Sequence, residues 1–277
     1  MEEVTKIKVL IPTDFSIEAE YAFMMVNNLS KKANMEITFL HVLNVPDTVT
    51  LGMDNVINTC GEIDANFVEI QRNMAAVKLT ELQQKHEGVK SELIFGHTAT
   101  GIIQFAEENN FDLIALGTKG TSGLAERFIG SNAQLIARKS NVPVMTLMCD
   151  RSGLELKDIL LVHNFEENEP QKLNLVKTFI KAFGTKLHFL QITTRDDNEE
   201  NIRESMAIFA QKNGFVNYEM HVIRDKNIEE GIKHFTEEEN MDIICIGTHG
   251  KGGIFHKSAT ETLINHLYKP IISYKIK

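Results

Sequence analysis

Residues 110–120 read Asn-Phe-Asp-Leu-Ile-Ala-Leu-Gly-Thr-Lys-Gly, an apolar run that ends in a glycine loop. The run Leu113-Ile114-Ala115-Leu116 is typical of a buried strand, and the pattern from Asn132 to Ala137 is typical of a helix. A glycine loop between a strand and a helix can bring several backbone N–H groups close to a phosphate, and the helix adds the positive end of its dipole. The stretch therefore predicts an α/β fold with a phosphate-binding loop.

The second half of the chain repeats this pattern. Residues 110–117 match residues 240–247, and residues 8–15 match residues 158–165. Each copy alternates predicted strands with predicted helices, and its strands are short, continuous apolar runs. Such runs are expected when helices cover both faces of a parallel sheet. The chain is therefore predicted to be a tandem repeat of one α/β unit.

The repeat predicts two domains, residues 1–149 and residues 154–277, with a short linker between them. The first copy has a longer middle segment, which runs from Pro46 to about Asn73 and contains several apolar residues. A helical extension that covers the core and a lid or partner groove would both explain this segment.

Composition and charge exclude several classes of protein. The chain has 277 residues and a formal net charge of −9, and without a basic stripe it is not expected to bind nucleic acid. It has no apolar run of about 18 residues, so no membrane-spanning helix is expected, and its start lacks the basic region of a signal peptide. The three cysteines are widely spaced, which predicts reduced thiols in a cytoplasmic protein. The ten histidines show no HxH or HExxH spacing and no accompanying carboxylate cluster, so no metal site is predicted.

The spacing Gly117-x2-Gly120-x9-Gly130-Ser131, with Asp14 at the end of the first strand, resembles the nucleotide-binding members of the universal stress protein family. The tandem arrangement resembles the two-domain members of that family. This resemblance implies, in each copy, a five-stranded parallel sheet of order 3-2-1-4-5 with helices on both faces, similar to adenine-nucleotide alpha-hydrolase-like folds.

The resemblance also implies how the copies assemble. Similar domains pair through their last strands, which in this chain are residues 142–148 and residues 271–276. The two copies would then form an intramolecular pseudo-dimer, and a homodimer of whole chains stays open.

The resemblance further implies that the first domain holds ATP or a related adenine nucleotide, with or without Mg²⁺. In an open α/β sheet the ligand lies beyond the carboxyl ends of the strands, here between the first and the fourth. The nucleotide-binding candidates are Thr13, Asp14, Val42, Gly117, Gly120, Gly130, Ser131 and Asn132.

Each candidate has a role under this resemblance. The glycines let the loop turn over the phosphates, and Ser131 supplies a hydroxyl and an N–H. Asp14 lies near the ribose or the adenine, Thr13 and Val42 contact the base through backbone groups, and Asn132 is a further polar candidate. Roles without a ligand exist as well, because a tight turn, a helix N-cap and an Asx-turn also use glycine, serine and aspartate.

The second copy departs from the motif at two places. His163-Asn164 replaces Thr13-Asp14, and Thr260-Glu261 replaces Gly130-Ser131. Two like charges ~4 Å apart cost about 4 kcal/mol at an effective dielectric constant of 20, so a glutamate at the phosphate position opposes binding. The second copy is therefore predicted to bind no ATP in this pose.

The sequence favours a nucleotide-binding module over an enzyme, and the resemblance implies that this module acts in the stress response. No Ser-x-Gly elbow, no Cys-His arrangement and no general base accompany the glycine loop, so no catalytic residues are assigned. Two alternatives stay open at this point. One is a slow ATPase or phosphotransferase that uses the same site, and the other is a nucleotide-independent protein-interaction scaffold.

Overall fold

The computed structural model describes residues 6–52, 56–60, 63–118, 130–165, 173–194, 197–249 and 267–276. The elements of the first half are β1 (Ile7–Pro12), α1 (Ile17–Ser30), β2 (Met35–Asn44), β3 (Val49–Leu51), β4 (Ile57–Thr59), α2 (Ala65–Lys85), β5 (Lys90–Gly96), α3 (Thr98–Glu108), β6 (Leu113–Gly117), α4 (Ser131–Lys139) and β7 (Val144–Leu147). Those of the second half are β8 (Asp158–Val162), α5 (Asn174–Phe183), β9 (Lys186–Thr193), α6 (Glu199–Asn213), β10 (Tyr218–Arg224), α7 (Ile228–Glu238), β11 (Ile243–His249) and β12 (Ile271–Ile276).

One ten-stranded sheet runs through both halves, in the order β10-β9-β8-β11-β12-β7-β6-β1-β2-β5. Neighbouring strands are parallel within each half. Numbered along the chain, the sheet strands of each half lie in the order 3-2-1-4-5. The α/β fold with a mostly parallel sheet is thus confirmed, and the strand order is the one that the resemblance implies.

The two halves meet where β12 pairs antiparallel with β7. The register places Ile272 opposite Met145, and both side chains are buried. Ser273 Oγ donates a hydrogen bond of 3.3 Å to the Val144 carbonyl across the junction. The last strands of the two copies therefore pair within one chain, as expected.

Helices cover both faces of this sheet, because its strands alternate apolar side chains between two cores. Val9 and Ile11 point into one core and Leu10 into the other. The first core includes buried residues of α1, α5 and α6, and the second includes those of α3, α4 and α7. Each core continues from the first half into the second, so the halves share their hydrophobic interior.

The longer middle segment of the first copy forms a small hairpin and the first part of helix α2. Strands β3 and β4 pair antiparallel, and Val49, Ile57 and Val68 make a small buried cluster beneath them. Helix α2 buries Val68, Ala75 and Leu79. A second row of apolar side chains on this helix is more than half exposed, namely Phe67, Ile70, Met74 and Val77. The predicted helical extension is therefore present, and the hairpin was not predicted.

Membrane insertion receives no support from the described helices. None of the helices in the described ranges combines the length and the apolar character that a membrane crossing needs.

Candidate functional site

The carboxyl ends of β1 and β6 lie side by side and form the centre of the candidate site. These strands pair directly, with Val9 opposite Leu113 and Leu10 opposite Ile114. Helix α1 leaves the end of β1 toward one face of the sheet, and α4 packs on the other face. This divergence is the topological switch point at which open α/β sheets bind ligands.

The turn after β1 is held by several hydrogen bonds to Thr13. Its N–H donates to the Leu40 carbonyl at 2.9 Å, and its buried hydroxyl accepts the Phe15 N–H at 2.9 Å. The Thr13 carbonyl accepts from His41 Nδ1 at 2.8 Å. A carbonyl oxygen has a second lone pair, so this atom keeps one acceptor position that a ligand can use.

Asp14 is exposed at the surface of the same turn. One of its oxygens accepts the Ser16 N–H at 3.0 Å, which makes an Asx-turn at the start of α1. Ser16 in turn caps α1 by accepting the Ala19 N–H at 3.4 Å. The Asx-turn that the sequence allows for Asp14 is thus present. This turn is compatible with a ligand at the exposed carboxylate.

Val42 offers backbone groups to the site but no side chain. Its side chain is buried in the core that includes α3. In a parallel strand the N–H and C=O of one residue point to the same side, and this side alternates along the strand. The Leu40 carbonyl points to β1, where it accepts the Thr13 N–H, so the backbone groups of Val42 also point to that side. Strand β1 has ended there, at Pro12 opposite Leu40.

Gly117 allows helix α1 to approach strand β6 closely. A Cβ built on Gly117 would stand 1.7 Å from the Glu18 carbonyl oxygen and 2.2 Å from its carbon. The next residue, Thr118, is buried and donates its N–H to the Leu147 carbonyl at 2.9 Å. In the structure, the missing side chain of Gly117 lets α1 pack closely against β6, whereas the sequence predicts that this glycine lets the loop approach a phosphate.

The start of α4 has the features of an anion-binding helix terminus. Gly130 is the N-cap, with φ −53° and ψ 139°, and no described side chain caps this helix. No acidic residue lies in the first turn of the described helix, and Arg138 and Lys139 lie in its last turn. Ser131 and Asn132 are exposed, and no described atom lies within 4 Å of a Cβ built on Gly130. No described side chain therefore caps the first N–H groups of α4, which lie at the positive end of the helix dipole.

Part of the predicted loop lies outside the described residues. Gly120 falls in the gap 119–129 and therefore lies outside the described residues. The same holds for Gly250, Thr260 and Glu261 in the second half. The contrast between the intact and the altered loop therefore rests on the sequence alone.

A cavity of about 320 Å³ that the sequence did not indicate lies between α1 and α2, beside the turn after β1. It is lined on one side by Thr13 and Phe15 and on the other by Lys78, Lys85 and His86 of α2 and its C-cap. Burial lowers the pKa of His86, and the nearby Lys85 lowers it further, which favours the neutral imidazole. Lys85 pairs with Glu20 of α1, and Glu81 also lines the cavity, so two carboxylates offset the charge of the two lysines.

The second half repeats the turn but fills it differently. The His163 N–H donates to the Leu190 carbonyl at 3.2 Å, and the Phe165 N–H donates to His163 Nδ1 at 2.7 Å. Phe165 has a φ of 54°, as Phe15 has a φ of 65°, a conformation that non-glycine residues rarely adopt. The His163 ring is buried against Phe209, with 5.0 Å between ring centroids. The backbone of the turn is thus kept in both halves while its side chains differ.

One cluster contradicts the expectation that no carboxylate accompanies the histidines. His188, Glu219 and His221 come together on two neighbouring strands of the second half. His188 and Glu219 lie near the amino ends of their strands, away from the turn that contains His163, and His221 lies at the middle of β10. Sequence spacing did not reveal them, because His188 lies far from the other two in the chain.

Comparisons with known proteins agree with this architecture. The model of the universal stress protein family matches residues 7–147. The chain is 26% identical over 151 residues to a universal stress protein of Methanocaldococcus jannaschii, which covers 50% of this chain and 93% of the relative. It is 20% identical over 272 residues to one of Mycobacterium tuberculosis, which covers 89% of this chain and 88% of the relative. The crystal structure of a universal stress protein from Archaeoglobus fulgidus superposes with a TM-score of 0.75 at 22% identity, covering 97% of this chain and 98% of that chain. At such identity the structural likeness supports the fold.

Proposed function

Because the chain belongs to the universal stress protein family, we propose that its first domain, residues 1–149, binds ATP or a related adenine nucleotide. The second domain, residues 154–277, is then a nucleotide-free partner that packs against the first. The protein acts as a binding module whose occupied state serves as a signal in stress adaptation.

The N-terminus of α4 is the observation that carries this proposal. Its N–H groups lack a described side-chain cap, its first turn holds no acid, and no described atom lies within 4 Å of a Cβ built on Gly130. An anion bound there satisfies these N–H groups and interacts favourably with the helix dipole. Local N–H groups matter in this chain, because a net charge of −9 repels a polyanion at long range.

The other candidates fit the rest of a nucleotide. Ser131 and Asn132 would hold phosphates at the start of α4, together with Gly120 in the loop. The exposed Asp14 carboxylate suits the hydroxyl groups of a ribose, which donate to such an acceptor. The Thr13 carbonyl and the backbone of Val42 suit the polar edge of adenine, since both lie where β1 has ended. A bound nucleotide would supply its own phosphates as ligands for Mg²⁺.

The test is to denature the purified chain and to measure released nucleotide by mass spectrometry as a ratio per chain. We expect about one adenine nucleotide per chain and loss of this nucleotide in Gly130→Val. A Cβ at Gly130 meets no described atom within 4 Å, so the unfolding temperature of this variant without nucleotide should stay close to that of the parent. Thr260→Val is the matched control, because it places the same side chain at the corresponding position of the second half and should leave the ratio unchanged.

Asp14→Asn separates the two roles of this residue. Asparagine keeps a side-chain oxygen for the Ser16 N–H but removes the negative charge. We therefore expect unchanged stability and weaker nucleotide binding. Equal nucleotide content in Asp14→Asn and the parent would restrict Asp14 to its Asx-turn.

Other outcomes would contradict the proposal in different ways. Two nucleotides per chain would show that the second domain also binds. No nucleotide, together with no change in unfolding temperature on addition of ATP and Mg²⁺, would favour a nucleotide-independent scaffold. Saturation at 100 times Kd should stabilise the fold by about 2.7 kcal/mol, so binding of this strength would be visible. Formation of ADP faster than in Gly130→Val would support the slow ATPase.

A further inference from the structure

Three strands of the second half bring two histidines and two carboxylates onto one face of the sheet. In the parallel register of β9 and β10, Glu219 lies opposite His188. His221 follows Glu219 by two residues, so its side chain points to the same face. Asp158 begins β8, the strand on the other side of β9. The four side chains therefore meet at the amino ends of these strands.

The distances among three of these groups match the spacing of ligands around one metal ion. His188 Nδ1 lies 3.1 Å from His221 Nε2 and 3.5 Å from a Glu219 carboxylate oxygen. The same oxygen lies 3.9 Å from His221 Nε2. Two atoms bound to one tetrahedral zinc ion at ~2.1 Å stand about 3.4 Å apart. The three atoms thus form a triangle of the size that such an ion requires.

Asp158 fixes the tautomer of the central histidine. Its carboxylate accepts from His188 Nε2 at 2.9 Å, so Nε2 carries the proton and Nδ1 presents its lone pair to the triangle. Carboxylates that orient histidine ligands in this way are a common feature of zinc sites. His188 is almost fully buried, which keeps its ring in this orientation.

The remaining ligands are held in place but can be reached by solvent. The His221 ring packs against the Phe235 ring at 4.8 Å between centroids. Lys186 Nζ pairs with the other Glu219 oxygen at 2.6 Å, which leaves the inner oxygen facing the histidines. The Glu219 side chain is about half exposed. An ion can therefore enter from the solvent side of the cluster.

We propose that His188, Glu219 and His221 bind a divalent transition-metal ion, and that Zn²⁺ fits this set of two imidazoles and one carboxylate. Magnesium and calcium prefer ligand sets made of oxygen alone, so they are not expected here. Three protein ligands leave the fourth tetrahedral position to water. The ion would join β10, which is an edge strand, to β9.

The first half serves as an internal comparison. The repeat and the matching register of β2 and β5 give each member of the cluster a counterpart in the first half. Lys8 corresponds to Asp158, Thr38 to His188, Lys90 to Glu219 and Glu92 to His221. These counterparts include no imidazole, and two of them are cationic. The proposed site therefore belongs to the second half alone, and the expected stoichiometry is one ion per chain.

The experiment is a titration of the full chain with Zn²⁺ after treatment with a chelator, followed by competition with a chromophoric chelator. We expect one ion per chain, bound at least about 100-fold more weakly by His221→Ala. Asp158→Asn should weaken binding by about 10-fold to 100-fold through the orientation of His188. His234→Gln is the matched control, because His234 is an exposed histidine of the same half that also pairs with a carboxylate, that of Asp225.

Two further readouts distinguish the proposed cluster from adventitious binding. Zn²⁺ should raise the unfolding temperature of the parent and of His234→Gln but not that of His221→Ala. Co²⁺ in the site should give the visible absorption of a tetrahedral complex, and this absorption should be lost in Glu219→Gln. Equal zinc binding by the parent and His221→Ala would overturn the proposal, as would a parent that binds no zinc. Nucleotide content is a separate measurement, so failure of one proposal leaves the other intact.

Discussion

Replacing Gly117 by alanine tests whether this motif glycine serves packing or ligand approach. A Cβ at this position would stand 1.7 Å from the Glu18 carbonyl oxygen and 2.9 Å from the Ala19 nitrogen. Non-bonded heavy atoms are in favourable contact at about 3.5 Å, so the first turn of α1 would have to move away from β6 by roughly 1.8 Å. Both contacting elements are backbone, so no side-chain rotation can relieve the overlap.

The expected cost follows from this overlap. Overpacking of a protein core costs typically about 1–3 kcal/mol, and an obstacle made of backbone places Gly117→Ala near the upper end. A loss of about 3 kcal/mol lowers the unfolding temperature of a chain of this size by on the order of 10 °C. The measurement is thermal and urea unfolding of nucleotide-free protein, alongside the nucleotide content of each variant.

Gly130→Ala is the matched control for this prediction. No described atom lies within 4 Å of the new Cβ, and the φ of −53° suits alanine. Alanine is a poorer N-cap than glycine but restricts the unfolded chain, so the net change should stay within about 1 kcal/mol. If Gly117→Ala unfolds at the parent temperature and has lost its nucleotide, the packing explanation is wrong and the glycine serves the ligand.

Two further predictions concern ionisable groups. Hydrogen bonds from Lys6 and Lys90 lower the pKa of Glu36 to about 2 in the folded chain. The stabilisation from these hydrogen bonds is therefore complete above pH 4.5, the pKa of Glu36 in the unfolded chain, and is lost as the pH falls toward 2. Because both lysines are exposed, Glu36→Gln should be less stable than the parent at pH 7 by only up to roughly 1 kcal/mol. Urea unfolding should show this difference in stability disappearing between pH 4.5 and pH 2. A difference that stays constant over this range would contradict the prediction. Burial raises the pKa of Cys245 to about 12, so iodoacetamide at pH 8 should alkylate the exposed Cys60 and leave Cys245 unmodified. Peptide mass spectrometry measures the labelling of each cysteine. Equal labelling of the two would contradict the buried position of Cys245.

The main lines of the fold follow from local sequence patterns. Continuous apolar runs such as residues 113–116 and 243–246 predict strands buried on both faces, and the structure places both runs in the centre of the sheet. The hairpin of β3 and β4 escaped prediction because its strands have three residues each, too few to show a period. Helix α2 also has exposed apolar residues, which weaken the periodic pattern of apolar and polar residues from which the buried face of a helix is predicted.

The chemistry of the sites was only partly visible in the sequence. The glycine spacing indicates a phosphate loop, but it does not show that Gly117 contacts the backbone of α1, because that contact depends on how a helix packs against a strand. The cluster of His188, Glu219 and His221 was missed for a similar reason. Its members become neighbours through strand register, and only the Glu-x-His pair on one strand is a local signal.

The antiparallel junction of β7 and β12 has a consequence for the polarity of the molecule. Within the ten-stranded sheet, the strands of the first half run opposite to those of the second, so the carboxyl edge of one half continues as the amino edge of the other. The switch point beside β1 and the His188 cluster on β9 therefore lie along the same edge, six strands and about 29 Å apart at ~4.8 Å per strand. The approximate twofold relation of the halves thus brings the two proposed sites, one for a nucleotide and one for a metal ion, to the same long edge of the sheet.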